Sequence, residues 1–164
     1  MLDAGELIEK HRSKGVLVDT NLLVLLLVGL FNKRRIVEFK RTQNFTIEDF
    51  DTLSRLIVWF GKLVTTPHVL SQVSDLTDLT GKDLVAVRKR FELLLENIDE
   101  RYDPSKAVVT DSLFTRLGLT DAAIATVCSK GILVLTSDLD LQLALQQRGA
   151  DALNFNHVRA LGWS

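Results

Sequence analysis

Gly15-Val16-Leu17-Val18-Asp19-Thr20-Asn21, followed by an apolar run from Leu22 to Phe31 broken only by Gly29, decides the fold. The first part is a short apolar stretch with β-branched residues that ends in an acid, which predicts a buried strand. Thr20-Asn21 then leads into a leucine-rich helix with no polar face, as expected of a helix buried in a core. Upstream, the basic stretch from Lys10 to Lys14 gives the region a superficial likeness to a signal peptide. Asp19, Thr20 and Asn21 interrupt that pattern, no small-x-small cleavage site follows at Asn32-Lys33, and the run is too short to span a bilayer. A core helix and no membrane association are expected.

Working outward, the same unit recurs. Thr46 with Asp49 marks a capped start, and Ile47, Phe50, Leu53, Leu56, Ile57 and Phe60 follow at helical spacing up to Gly61. Leu63–Thr66 is a second strand, and Pro67 suits the first position of the next helix. Gly81-Lys82-Asp83 punctuates the chain, and Leu84–Ile98 reads as amphipathic, which predicts a helical hairpin appended to the sheet. Ala107–Leu117 is a short helix or turn, Ala122–Ser129 is helical and Gly131 stops it. Ile132–Thr136 is the clearest strand, Ser137-Asp138 ends it, Leu139–Arg148 is helical, and a last short strand falls at 152–155. Strands alternating with helices predict a three-layer α/β/α domain with a central parallel sheet, spanning 1–164 as one unit.

The composition limits the chemistry. Twenty basic and 21 acidic residues give a net charge of -1, so a nucleic-acid surface has to be local. Cys128 is the sole cysteine, which excludes an intramolecular disulfide and a cysteine-rich metal site and fits a reducing, cytoplasmic setting. No glycine-rich phosphate loop is present, so an ATPase or kinase has no support.

Asp19 and Asp138 each follow an apolar strand directly, where open α/β sheets place their ligands. Asp121 opens a helix, where a carboxylate serves either as a cap or as part of a site. Two carboxylates about 4 Å apart repel by roughly 4 kcal/mol at an effective dielectric near 20, so a convergent acidic cluster calls for a cation. Hard oxygen donors of this kind suit Mg²⁺ or Mn²⁺.

Four segments in order resemble the PIN-domain nucleases, which include the ribonuclease toxins of toxin-antitoxin pairs: Val16–Asn21, Thr66–Val73, Leu119–Ala125 and Val134–Asp138. The resemblance covers nearly the whole chain. It implies Asp19, Asp121 and Asp138 as metal ligands and catalytic acids, with Asn21 as a polar partner of Asp19. The second motif supplies a glutamate where this sequence has Gln72, and Asp75, one turn on, is a candidate replacement. Asp140 is another candidate, and Thr20, Thr136 and Ser137 are candidates for orienting the carboxylates. The implied activity is Mg²⁺- or Mn²⁺-dependent hydrolysis of RNA phosphodiester bonds, with an antitoxin partner and a homodimer. Because Gln72 lacks the charge and proton acceptance of a carboxylate, the alternative is a catalytically impaired PIN-like module that binds RNA or protein.

Lys33, Arg34, Arg35, Lys40 and Arg41, and Arg88, Lys89 and Arg90 on the hairpin, are the basic clusters available for RNA, or else solvated helix ends. Few aromatics lie beside them, so base stacking is not indicated. A phosphatase of another doubly wound fold would also use Asp19, but Asn21 stands where its pattern wants a second acid. His68 and His157 are expected in surface or hydrogen-bonding roles, Trp59 and Phe60 in the core or an interface, and Cys128 as an inert buried thiol.

Overall fold

The computed structural model describes residues 1–162, and five parallel strands form its centre in the order β3-β2-β1-β4-β5. In chain order the elements are α1 (Ala4–Lys10), β1 (Val16–Val18), α2 (Thr20–Phe31), α3 (Ile47–Phe60), β2 (Leu63–Thr65), α4 (Pro67–Leu76) and α5 (Gly81–Leu95). They continue with β3 (Ile98–Glu100), α6 (Ser105–Val108), α7 (Leu113–Leu117), α8 (Leu119–Cys128), β4 (Leu133–Thr136), α9 (Leu139–Gln147), β5 (Ala152–Asn154) and α10 (Phe155–Leu161). Helices flank the sheet in a three-layer α/β/α arrangement, as the alternation of strands and helices predicts.

Strand β1 lies at the middle, pairing Val16 with Leu63 of β2 on one side and with Leu133 of β4 on the other. Its three residues are buried, as are those of β2, β4 and β5, which is why they read as continuous apolar runs. Helix α2 is buried from Leu22 to Gly29, and α3, α4 and α5 all rest on it. Gly29 has a specific reason: a Cβ there would stand 2.1 Å from the Phe50 ring, so only glycine lets α3 approach. The Thr46–Asp49 capping box and Pro67 at the head of α4 are both as expected.

Three elements differ from the expectations. The pair α4 and α5 is present, but it is built into the crossover from β2 to β3 instead of being appended to the sheet. Helix α5 stops at Leu95, and Ile98 belongs to β3, whose register pairs Leu63 with Ile98. This edge strand, Ile98-Asp99-Glu100, is partly exposed and carries two acids, so it has neither alternation nor an apolar run; charge on an edge discourages further strand pairing. The final strand ends at Asn154, which caps α10, and α1 begins with a capping box of Asp3 and Glu6. Among the described residues no helix is long and apolar enough to cross a membrane.

Candidate functional site

The strand order reverses beside β1: the chain first moves outward through β2 and β3, then returns to place β4 and β5 on the other side. The crevice beyond the carboxyl ends of β1 and β4 is therefore the topological switch point, where open α/β sheets bind ligands. Asp19 and Asp138 are the first acids past those two strand ends. A cleft of about 390 Å³ opens here, bordered by Asp19, Thr20, Asn21, Gln72, Asp121 and Asp138, with Leu76 of α4 and Leu117–Thr120 completing its wall.

Asp19 is buried and tightly held. One carboxylate oxygen accepts the Thr20 N–H at 2.7 Å, and the other accepts the Thr136 hydroxyl at 2.7 Å. The same Thr136 hydroxyl accepts the N–H of Asp138 at 2.9 Å, so one fully buried side chain ties the two strand ends together. Thr136 thus orients Asp19, beyond any capping role. Asp138 caps α9, with one oxygen accepting from the N–H groups of Asp140 and Leu141; no protein donor among the described residues reaches its other oxygen.

Asp121 lies in the first turn of α8, but the N-cap position is Gly118, and no side chain caps this helix. The capping explanation therefore does not hold for Asp121. Its carboxylate receives no hydrogen bond among the described residues. Burial, then the charges of Asp19 and Asp138, push its pKa up to about 7. Burial also raises that of Asp19, against the hydrogen bonds from Thr136 and Thr20, with Asp138 adding to the rise. These mutual repulsions show that the three acids share one electrostatic environment.

No family model and no curated protein matches this chain.

The donor chemistry suits a hard divalent cation: three carboxylates border one cleft, and Asp121 and Asp138 have oxygens that no protein donor among the described residues satisfies. Among the described residues, no three histidine, cysteine, aspartate or glutamate side chains are grouped closely enough to hold an ion together. A small hydrated ion does not need that, because Mg²⁺ usually keeps several waters and binds through one or two carboxylates.

Gln72, from α4, accepts a hydrogen bond from the Thr20 hydroxyl at 3.0 Å. Asn21 is exposed on the cleft wall. Asp75 and Asp140 are exposed and do not border the cleft; the residue of α4 that does so one turn beyond Gln72 is Leu76. Ser137 contributes its carbonyl to Asn156 at 3.5 Å. The basic clusters are not brought to the acids. Lys33, Arg34 and Arg35 follow the far end of α2, a helix of 12 residues and hence about 18 Å long. Lys33 is paired with Asp51 and Arg35 with Asp83, while Lys40 is paired with Asp78 and Lys89 with Glu92. Arg88 and Arg90 are exposed on α5.

His68 bonds Ser105 at 3.0 Å, and His157 is exposed. Phe60 is in the core, and Trp59 packs against the core with the Arg12 guanidinium 4.3 Å from its ring centre. Burial pushes the Cys128 thiol up to about 12, consistent with an inert side chain. The cleft wall formed by Leu117–Thr120 was not legible as such. Gly118, with φ of 92° before the Leu119-Thr120-Asp121 helix start, is its one sequence signal.

Proposed function

We propose that this chain is a Mg²⁺- or Mn²⁺-dependent endoribonuclease of the PIN-domain type that hydrolyses RNA phosphodiester bonds. The observation that carries the reading is the convergence of Asp19, Asp121 and Asp138 on one cleft at the switch point, where burial, then the charges of Asp19 and Asp138, push the Asp121 pKa up to about 7. Placing uncompensated acids together in this way costs stability, and such perturbed groups concentrate at functional sites. One or two of these aspartates would hold the ion directly and the remainder would reach it through its waters, and the ion would supply charge stabilisation to the phosphate and a more acidic water. Thr136 fixes the orientation of Asp19, and the Thr20 N–H holds its other oxygen. RNA as substrate, an antitoxin partner, a homodimer and a cytoplasmic setting come from the resemblance of the four motifs.

One observation favours a second reading. Gln72 replaces a family glutamate, and its carbonyl oxygen is engaged by Thr20, which suits a PIN-like module that binds RNA or protein without cutting. Labelled structured and single-stranded RNAs, incubated with Mn²⁺ or Mg²⁺, separate the two. Cleavage by the natural protein and none by Asp19→Asn is the expected result. Cleavage by Gln72→Glu alone would establish the binding module instead, and no cleavage by either would remove the nuclease reading.

A further inference from the structure

Gln72 is one of two carboxamides on a cleft wall otherwise marked by acids, and its two ends are not equivalent. The carbonyl oxygen is occupied by the Thr20 hydroxyl at 3.0 Å, and Thr20 itself is buried at the head of α2 beside Asp19. The amide nitrogen has no protein acceptor among the described residues, while the residue borders the cleft. An amide nitrogen carries two N–H donors and no acceptor capacity, so it cannot bind a cation.

We propose that Gln72 is a substrate-binding residue whose amide donates to a non-bridging oxygen of the RNA phosphodiester, clasped in that orientation by Thr20, and that the cation is held without it. The inference rests on the nuclease reading and sharpens it, because it assigns ion and substrate to different side chains. A phosphate oxygen only accepts hydrogen bonds, so it matches the amide nitrogen and not the carbonyl oxygen. Among the described residues no basic side chain borders the cleft, and this neutral donor offers the phosphate a contact that an ionised carboxylate cannot make. Asn21, the other carboxamide of the wall, has no comparable clasp and is not assigned this role.

The test uses the full chain and two readouts, Mn²⁺ binding followed by electron paramagnetic resonance, and binding of a fluorescent single-stranded RNA followed by anisotropy in Ca²⁺. Gln72→Leu is expected to keep Mn²⁺ affinity within about twofold and to weaken RNA binding roughly tenfold, the scale of one hydrogen bond to a charged group. Thr20→Val, which removes the clasp, should weaken RNA binding severalfold, and Thr20→Ser by less. A Gln72→Leu variant that loses Mn²⁺ but binds RNA normally would make Gln72 a metal ligand and overturn the inference while leaving the nuclease reading in place. If Asp19→Asn binds Mn²⁺ as the natural protein does, the nuclease reading itself falls, and the inference with it.

Discussion

The two ends of the sheet treat their acids in opposite ways. At the amino-terminal end of β4 and β5 a pocket of about 480 Å³ is bordered by Asp111 and Asp151, and both acids are paired. Arg148 grips Asp111 through two nitrogens at 2.8 and 2.7 Å, while Lys10 and His11 both reach Asp151 at 2.7 Å. Hydrogen bonding from Arg148 lowers the pKa of Asp111; at Asp151, burial opposes ionisation but Lys10 and His11 outweigh it and the pKa falls. At the carboxyl-terminal end no basic side chain among the described residues borders the cleft, and burial with the charges of Asp19 and Asp138 pushes Asp121 up to about 7. The paired acids are stabilised in their charged form, whereas burial and mutual repulsion disfavour the charged form of Asp19 and Asp121.

This contrast can be broken most forcefully at Asp19. Asn at this position should lower metal-dependent RNA cleavage by more than about 100-fold, because even outer partners of metal ligands typically cost 10–100-fold. Thr136→Val, which removes such an outer partner, should fall within that 10–100-fold range in Mn²⁺ affinity, read by titration. It should also lower the melting temperature, since Asp19 would remain buried with one donor fewer.

The pH dependence of stability separates the two ends next. Asp121 and Asp19 have raised pKa values in the folded chain, so the folded state binds more protons than the unfolded one, and stability falls as pH rises from about 4 to about 7. Asp121→Asn should flatten this slope and stabilise the metal-free protein by roughly 1–2 kcal/mol at pH 8, as urea unfolding would measure. Asp111 and Asp151 have lowered pKa values, so their contribution is present above the ordinary carboxylate range and is lost as pH falls through 4 and below. The smallest effect is expected from Arg148→Ala. A partly exposed pair should contribute no more than about 1 kcal/mol, and Mn²⁺ binding should not change.

Much of this was legible because the informative residues obey local rules. The buried strands β1, β2 and β4 announce themselves as apolar runs, and Asp19 and Asp138 follow from where those runs end. The sequence is silent about β3 because a three-residue, half-exposed edge strand has no period, and its pairing with β2 is decided by the crossover that precedes it. Asp121 was ambiguous for a different reason: a cap and a cleft acid occupy similar positions at a helix start, and only the absent capping bond distinguishes them. The bond from Thr136 to Asp19 joins residues 117 apart in the chain, beyond any local pattern. The same holds for the clasp between Thr20 and Gln72, 52 residues apart. That the basic clusters do not border the cleft was not legible either, because nearness in sequence to Asp19 does not say which end of α2 a cation occupies.

Titration of the full chain with Mn²⁺ at pH 8 decides whether the cleft bordered by Asp19, Asp121 and Asp138 is a cation site. One bound ion is expected, with affinity falling more than about tenfold in each of Asp19→Asn, Asp121→Asn and Asp138→Asn, through direct ligation or through the ion's waters. An ion bound equally well by all four proteins, or none bound at millimolar Mn²⁺, would contradict it.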